Sequence, residues 1–149
     1  MKLRYDTQSM GEWSYVGKHR CRIENDMFVS INDGPVSLVE MQTMMTQIDE
    51  AVTKHGVRFY LMDLHRAEPP SPEARRWMSQ NPYQGIEAVA GHGASRTLRF
   101  LSDLMRRALE ALHRSPSKLA SFRLFATEAD ARAHLEQLRT APKSVDRTG

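Results

Sequence analysis

A single cysteine, Cys21, is the whole thiol content of the chain, so no disulfide can form within it. That usage gives no sign of an oxidising compartment. Long apolar runs are missing too, since none approaches the roughly 20 residues needed to span a bilayer. The first ten residues lack the apolar centre of a signal peptide, so a cytoplasmic protein is expected. Charge of one sign is scarce: the formal net charge is +3, and the arginines are interleaved with acids. A nucleic-acid partner calls for a denser basic stripe, so none is expected. The histidines are His19, His55, His65, His92, His113 and His134, scattered without ligand spacing. Neither a metal nor another cofactor is therefore expected. Internal repeats and low-complexity segments are also lacking.

What remains is ordinary globular material. The chain has 149 residues, 40% hydrophobic and 26% charged, enough for one domain around one core. The expected organisation is a flexible terminus over residues 1–12, a domain over 13–140 and a disordered polar tail over 141–149.

The organising stretch is residues 55–78. Residues 57–62 are apolar and aromatic apart from Arg58, too short for a helix, and read as a buried central strand ending at Asp63. A loop with Pro69 and Pro70 follows. Ser71 then has the character of an N-cap, with Pro72 at the first helical position and Glu73 in the first turn. Upstream, residues 18–24 and 27–31 alternate like the two strands of a hairpin around Asn25-Asp26, and Trp13, Tyr15 and Val16 alternate before them. Ser37 with Glu40 signals a capping box. Leu38, Met41, Met45, Ile48 and Val52 then recur at helical spacing, closed by His55-Gly56. Downstream, residues 86–90 form a short apolar strand, and Gly91-His92-Gly93 reads as a turn. Ser95 caps a helix with Leu98, Leu101, Met105, Ala108 and Leu112 on its inner face, stopped by Ser115-Pro116. Residues 122–125 make the last strand, and Thr127 caps a final helix with Ala131, Leu135 and Leu138 turned inward.

The order is thus β-β-α-β-α-β-α-β-α. An α/β fold follows, with a mostly parallel sheet of four to five strands and helices mainly on one face. This order resembles the SpoIIAA-like or STAS family, the anti-sigma-factor antagonist fold, also described as STAS/Sec14-like. Local matches are the hairpin at Asn25-Asp26, the strand ending Met62-Asp63-Leu64, and the helix start Ser71-Pro72-Glu73-Ala74-Arg75. The strand over residues 86–90 and the turn Phe125-Ala126-Thr127-Glu128-Ala129-Asp130-Ala131 also match. The resemblance covers roughly residues 13–140. It implies a non-catalytic regulatory or protein-interaction domain. In such antagonists a serine in an Asp-Ser-x-Gly motif after the central strand is phosphorylated. Here that loop runs from Leu64 to Glu73 without Asp-Ser or glycine, and Ser71 is the nearest hydroxyl.

Several residues are candidates for function. Asp63 and His65, with Glu68 nearby, could form an acid–base pair, although Asp63 can equally bond loop amides while His65 is solvated. Asp63, His65, Arg66, Glu68 and Ser71 form a candidate interaction loop at the C-terminal strand ends, where ligands sit in open α/β sheets. Gly91, His92, Gly93, Ser95 and Arg96 half-resemble a dinucleotide fingerprint and could present amides to an anion or partner. Phe100, off its helix stripe, and Trp77 are candidate apolar contacts, and Met41, Met44 and Met45 cluster on the first long helix. The partner is expected to be a protein, a second copy of the chain included. The alternative is a Sec14-like carrier that holds a small apolar or lipid ligand among the helices.

Overall fold

A computed structural model describes residues 11–112 and 120–141. The expectations for residues 1–10, His113, Ser115-Pro116 and residues 142–149 lie outside this set. Among the described residues ten elements follow in order: β1 (Ser14–Val16), β2 (His19–Glu24), β3 (Met27–Gly34), α1 (Leu38–His55) and β4 (Phe59–Ala67). Then come α2 (Pro72–Gln80), β5 (Ala88–His92), α3 (Arg96–Leu112), β6 (Ser121–Phe125) and α4 (Glu128–Thr140).

The strands form one sheet of six in the order β1-β2-β3-β4-β5-β6. The first two pairings are antiparallel and the remaining three are parallel, so the sheet is mixed. Its sixth strand is the short β1, which pairs with β2 through Ser14↔Cys21 and Val16↔His19. Asn25, with φ 54°, turns the β2–β3 hairpin, as asparagine tolerates the left-handed region.

Topology decides where the helices go. The parallel strands advance in one direction across the sheet. Right-handed crossovers therefore carry α1, α2 and α3 to the same face, while α4, after the last strand, covers the other. Strand alternation divides the core accordingly. Phe28, Tyr60 and Val89 pack with Met44, Ile48 and Ala51 of α1. Phe59, Leu61, Ala88 and Ala90 pack with Ala131 and Leu135 of α4. Ionic contacts fasten α4 to the hairpin: Arg132 grips Glu24 at 2.5 and 3.3 Å, and Arg139 grips Asp26 at 2.8 and 2.5 Å.

Four local expectations change. The central strand runs past Asp63 to Ala67, because a bulge opposite residues 31–33 lets β4 continue pairing, so most of the expected loop is strand. Likewise Gly91 and His92 belong to β5, and only Gly93, with φ 78°, turns the chain. Leu138 is 36% exposed instead of turned inward, although Arg139 beside it still reaches the hairpin. On α3 Leu98 is buried, Leu101 and Met105 are half-buried and Ala108 is exposed, while the side chain of Leu112 is outside the described set. The α1 capping box is formed in both directions, and Gly56 ends that helix at φ 68°.

Candidate functional site

Two features stand on opposite faces of the sheet. The first is a cavity of about 560 Å³ on the face covered by α1, α2 and α3. Its floor is the sheet, with Met62, Leu64, Val89 and Phe122, and its far wall is the stripe Leu98, Leu101 and Met105 of α3. Leu101 and Met105 are only half-buried because they border open space rather than packed side chains. Met78 and Tyr83 close one side. Gly91 sits beneath, where a side chain would come within 2.8 Å of Leu64 and Leu124.

One polar group reaches this apolar space from the core. Ser30 Oγ donates to Asn32 Oδ1 at 2.9 Å and lies 3.0 Å from the Tyr60 hydroxyl. With Ser30 spending its proton on Asn32, the Tyr60 hydroxyl is the donor to Ser30. The chain of bonds turns the Asn32 oxygen toward Ser30 and leaves its amide NH₂ as a donor on the cavity wall. Burial pushes the Tyr60 hydroxyl far above the usual phenol range, so it stays protonated and able to donate. At the mouth, Glu68, Ser102, Arg106 and Glu110 supply polarity, and Arg106 is held by Asp103 at 2.6 Å and Glu110 at 3.2 Å.

The second feature lies on the α4 face at the C-terminal strand ends. Asp63 and His92 are register partners on β4 and β5. Asp63 Oδ1 accepts the His65 backbone N–H at 3.1 Å and lies 2.9 Å from His65 Nδ1. The His65 ring lies over Gly93 and meets the His92 ring edge-on at 5.6 Å between centroids. Burial works to raise the Asp63 carboxyl, but bonds from the His65 amide and ring, with the charge of His92, hold it below the usual range. Burial lowers His92 from the ordinary histidine value, against the pull of Asp63 and Glu128. His92 is 2% exposed, and its Nδ1 has no hydrogen-bond partner among the described residues.

The expected site residues are therefore only partly gathered. Asp63, His65 and His92 come together. Arg66 is exposed and pairs with Asp33 at 3.5 Å, Glu68 stands at the cavity mouth, and Arg96 is exposed. Ser71 accepts the Ala74 amide at 3.1 Å and Ser95 the Leu98 amide at 3.1 Å, both as helix caps. Phe100 is 68% exposed, and Trp77 is half-buried on α2. Cys21 is inert in the core, its thiol pushed up to about 12 by burial.

Sequence reasoning named Asp63, His65 and His92 as candidates and a ligand among the helices as an alternative, but it saw no ligand spacing in the histidines and did not place the cavity. The scattered histidines hid a spatial pair, because His65 and His92 reach one edge only through strand pairing. The cavity leaves one trace in the sequence, the apolar stripe of α3, which reads the same whether it packs or borders a void.

A six-stranded sheet with this order, three helices on one face and a terminal helix on the other, is the SpoIIAA-like fold of STAS domains. The solved structure of the anti-sigma factor antagonist SpoIIAA in its unphosphorylated form is similar, with a TM-score of 0.51 and 10% identity, over 87% of this chain and 98% of that one. An uncharacterised DUF3478-family protein with a SpoIIAA-like fold from Shewanella loihica gives a TM-score of 0.49 and 15% identity, over 73% of this chain and 83% of that one. At 10% identity the likeness to SpoIIAA speaks for the fold alone. No family model matches the sequence, and no curated protein matches it significantly.

Proposed function

We propose that this protein is a non-catalytic STAS-type domain that binds a small apolar or lipid-like ligand in the cavity between its sheet and α3. The observation that carries the reading is the cavity itself. About 560 Å³ lies within the range of small-molecule sites, and its walls are mostly apolar with a few polar groups. A ligand burying about 300 Å² of apolar surface there gains roughly 7 kcal/mol before association costs. Asn32 offers a hydrogen bond deep in the wall, and the mouth is polar, a pairing suited to an apolar body with a polar end. Ser102 lies on the α3 wall, so Ser102→Trp fills the space from the helix side without touching the packed core. Titration with a fluorescent fatty-acid probe is expected to saturate at one equivalent in the wild type and to weaken at least tenfold in Ser102→Trp. Equal binding by both proteins, or none by either, contradicts the reading.

A second reading, regulation through protein contact, rests on Phe100 at 68% and Leu104 at 45% exposure on α3. Two such side chains facing water on one helix suit a partner surface. The exposed Arg66 and Arg96 at the strand ends extend that surface toward an acidic partner. Capture of a protein that Phe100→Ser abolishes and Ser102→Trp leaves intact favours this second reading.

A further inference from the structure

The geometry points to a binding site for a divalent transition-metal ion of the zinc class at Asp63, His65 and His92. One ligand atom from each of the three residues, a carboxylate oxygen and two ring nitrogens, lies within 4.8 Å of the others. Ligand atoms around one tetrahedral ion stand about 3.3 Å apart, so a closing shift of about 1.5 Å completes the set. The His65 side chain is 60% exposed and free to make that shift. His92 is fixed by burial and Asp63 by its place in the sheet, so two of the three ligands are already positioned.

The donor set selects the ion. Two imidazoles and one carboxylate suit zinc, iron, cobalt or nickel, whereas magnesium and calcium call for all-oxygen surroundings. Three protein ligands leave a position for water or another exogenous ligand. The buried His92 Nδ1 has no hydrogen-bond partner among the described residues, so this imidazole keeps a ring nitrogen that the protein does not use. Negative charge also favours the ion. Asp63 and Glu128 at the start of α4 act on His92, against Arg132, which is bonded to Glu24 and Glu128. Gly93 contributes by lacking a side chain, since a Cβ there would stand 2.4 Å from the His65 ring. The site lies across the sheet from the cavity, so the two proposals stand or fall separately.

The test is a titration of untagged, chelator-treated protein with Co²⁺, followed by visible absorption, and then displacement by Zn²⁺. The wild type is expected to bind one Co²⁺ with a ligand-field band that Zn²⁺ abolishes. His65→Ala and Asp63→Asn should each weaken binding at least tenfold, with His55→Ala, a histidine at the far end of α1, unchanged. Folding of each variant is checked by circular dichroism. In the wild type, Co²⁺ should also shift the ring protons of His65 and His92 ahead of those of the other histidines. No band at micromolar protein, binding that survives both substitutions, or shifts spread evenly over all histidines overturns the proposal.

Discussion

The clamp between Arg132 and Glu24 ties α4 to the β2–β3 hairpin and should carry a measurable part of the stability. The Glu24 side chain is only 9% exposed and lies at the end of β2, where Arg132 of α4 holds it through two bonds. Arg22 adds a third contact at 3.2 Å. Replacing Arg132 by methionine keeps the aliphatic packing and strips the charge. Removing one partner of a fully buried pair costs about 3–5 kcal/mol. Arg132 is itself 35% exposed, so solvent screening cuts that figure, and Arg22 remains as a counter-charge. The expected loss is about 1–2 kcal/mol, of which the exposed contact with Glu128 accounts for a few tenths. In a domain of this size that lowers Tm by about 3–7 °C.

Hydrogen bonding from Arg132, which outweighs desolvation, holds the Glu24 carboxyl below its unfolded value, with Arg22 adding charge. A depressed carboxyl stabilises the fold above the unfolded pKa, and that stabilisation fades as pH falls through the folded pKa. The penalty of Arg132→Met should therefore be full at pH 7 and shrink below about pH 4.3, where unfolded glutamate begins to hold its proton. Urea unfolding of wild type, Arg132→Met, Glu24→Gln and the double variant at pH 7 and at acid pH measures this. A penalty equal at both pH values, or no coupling energy in the cycle, refutes the reasoning.

Other outcomes follow from single contacts. Ser71→Ala should lose about 1 kcal/mol in thermal melts while Ser71→Asp stays nearly neutral, since aspartate caps as well as serine. A Ser71→Asp variant that keeps its stability but loses a partner in pull-downs would instead reveal a regulatory phosphosite. Gly93→Ala should cost about 1 kcal/mol or more, because φ is 78° and the new methyl displaces the His65 ring; urea titration reads it. Phe100→Ser should change stability by less than about 0.5 kcal/mol, as expected of a side chain facing water, and a larger loss would mean that α3 packs differently.

The elements were legible where local chemistry is redundant. Ser37, Ser71, Ser95 and Thr127 each accept an amide at a helix start, and Asn25 turns the hairpin. Boundaries failed where pairing overrode the local signal. Asp63 and Gly91 look like strand ends, but neighbouring strands extend pairing to Ala67 and to His92. On α1 the spacing picked Met41 and Val52, which are half-buried, while Met44 and Ala51 are more deeply buried, because helix rotation is set by the sheet. The meeting of Asp63 and His65 with His92 depends on β4–β5 register, and the cavity depends on the height of α3 above the sheet. Neither quantity is written in any single stretch of sequence.

The central claim, a ligand held between the sheet and α3, is tested most directly by native mass spectrometry of freshly purified protein under gentle activation. A population heavier than the 17.1 kDa chain by the mass of one small apolar molecule is expected. That population should release its ligand into organic solvent and should be absent from Ser102→Trp. A bare-chain mass for the wild type, unchanged after incubation with long-chain fatty acid, contradicts it.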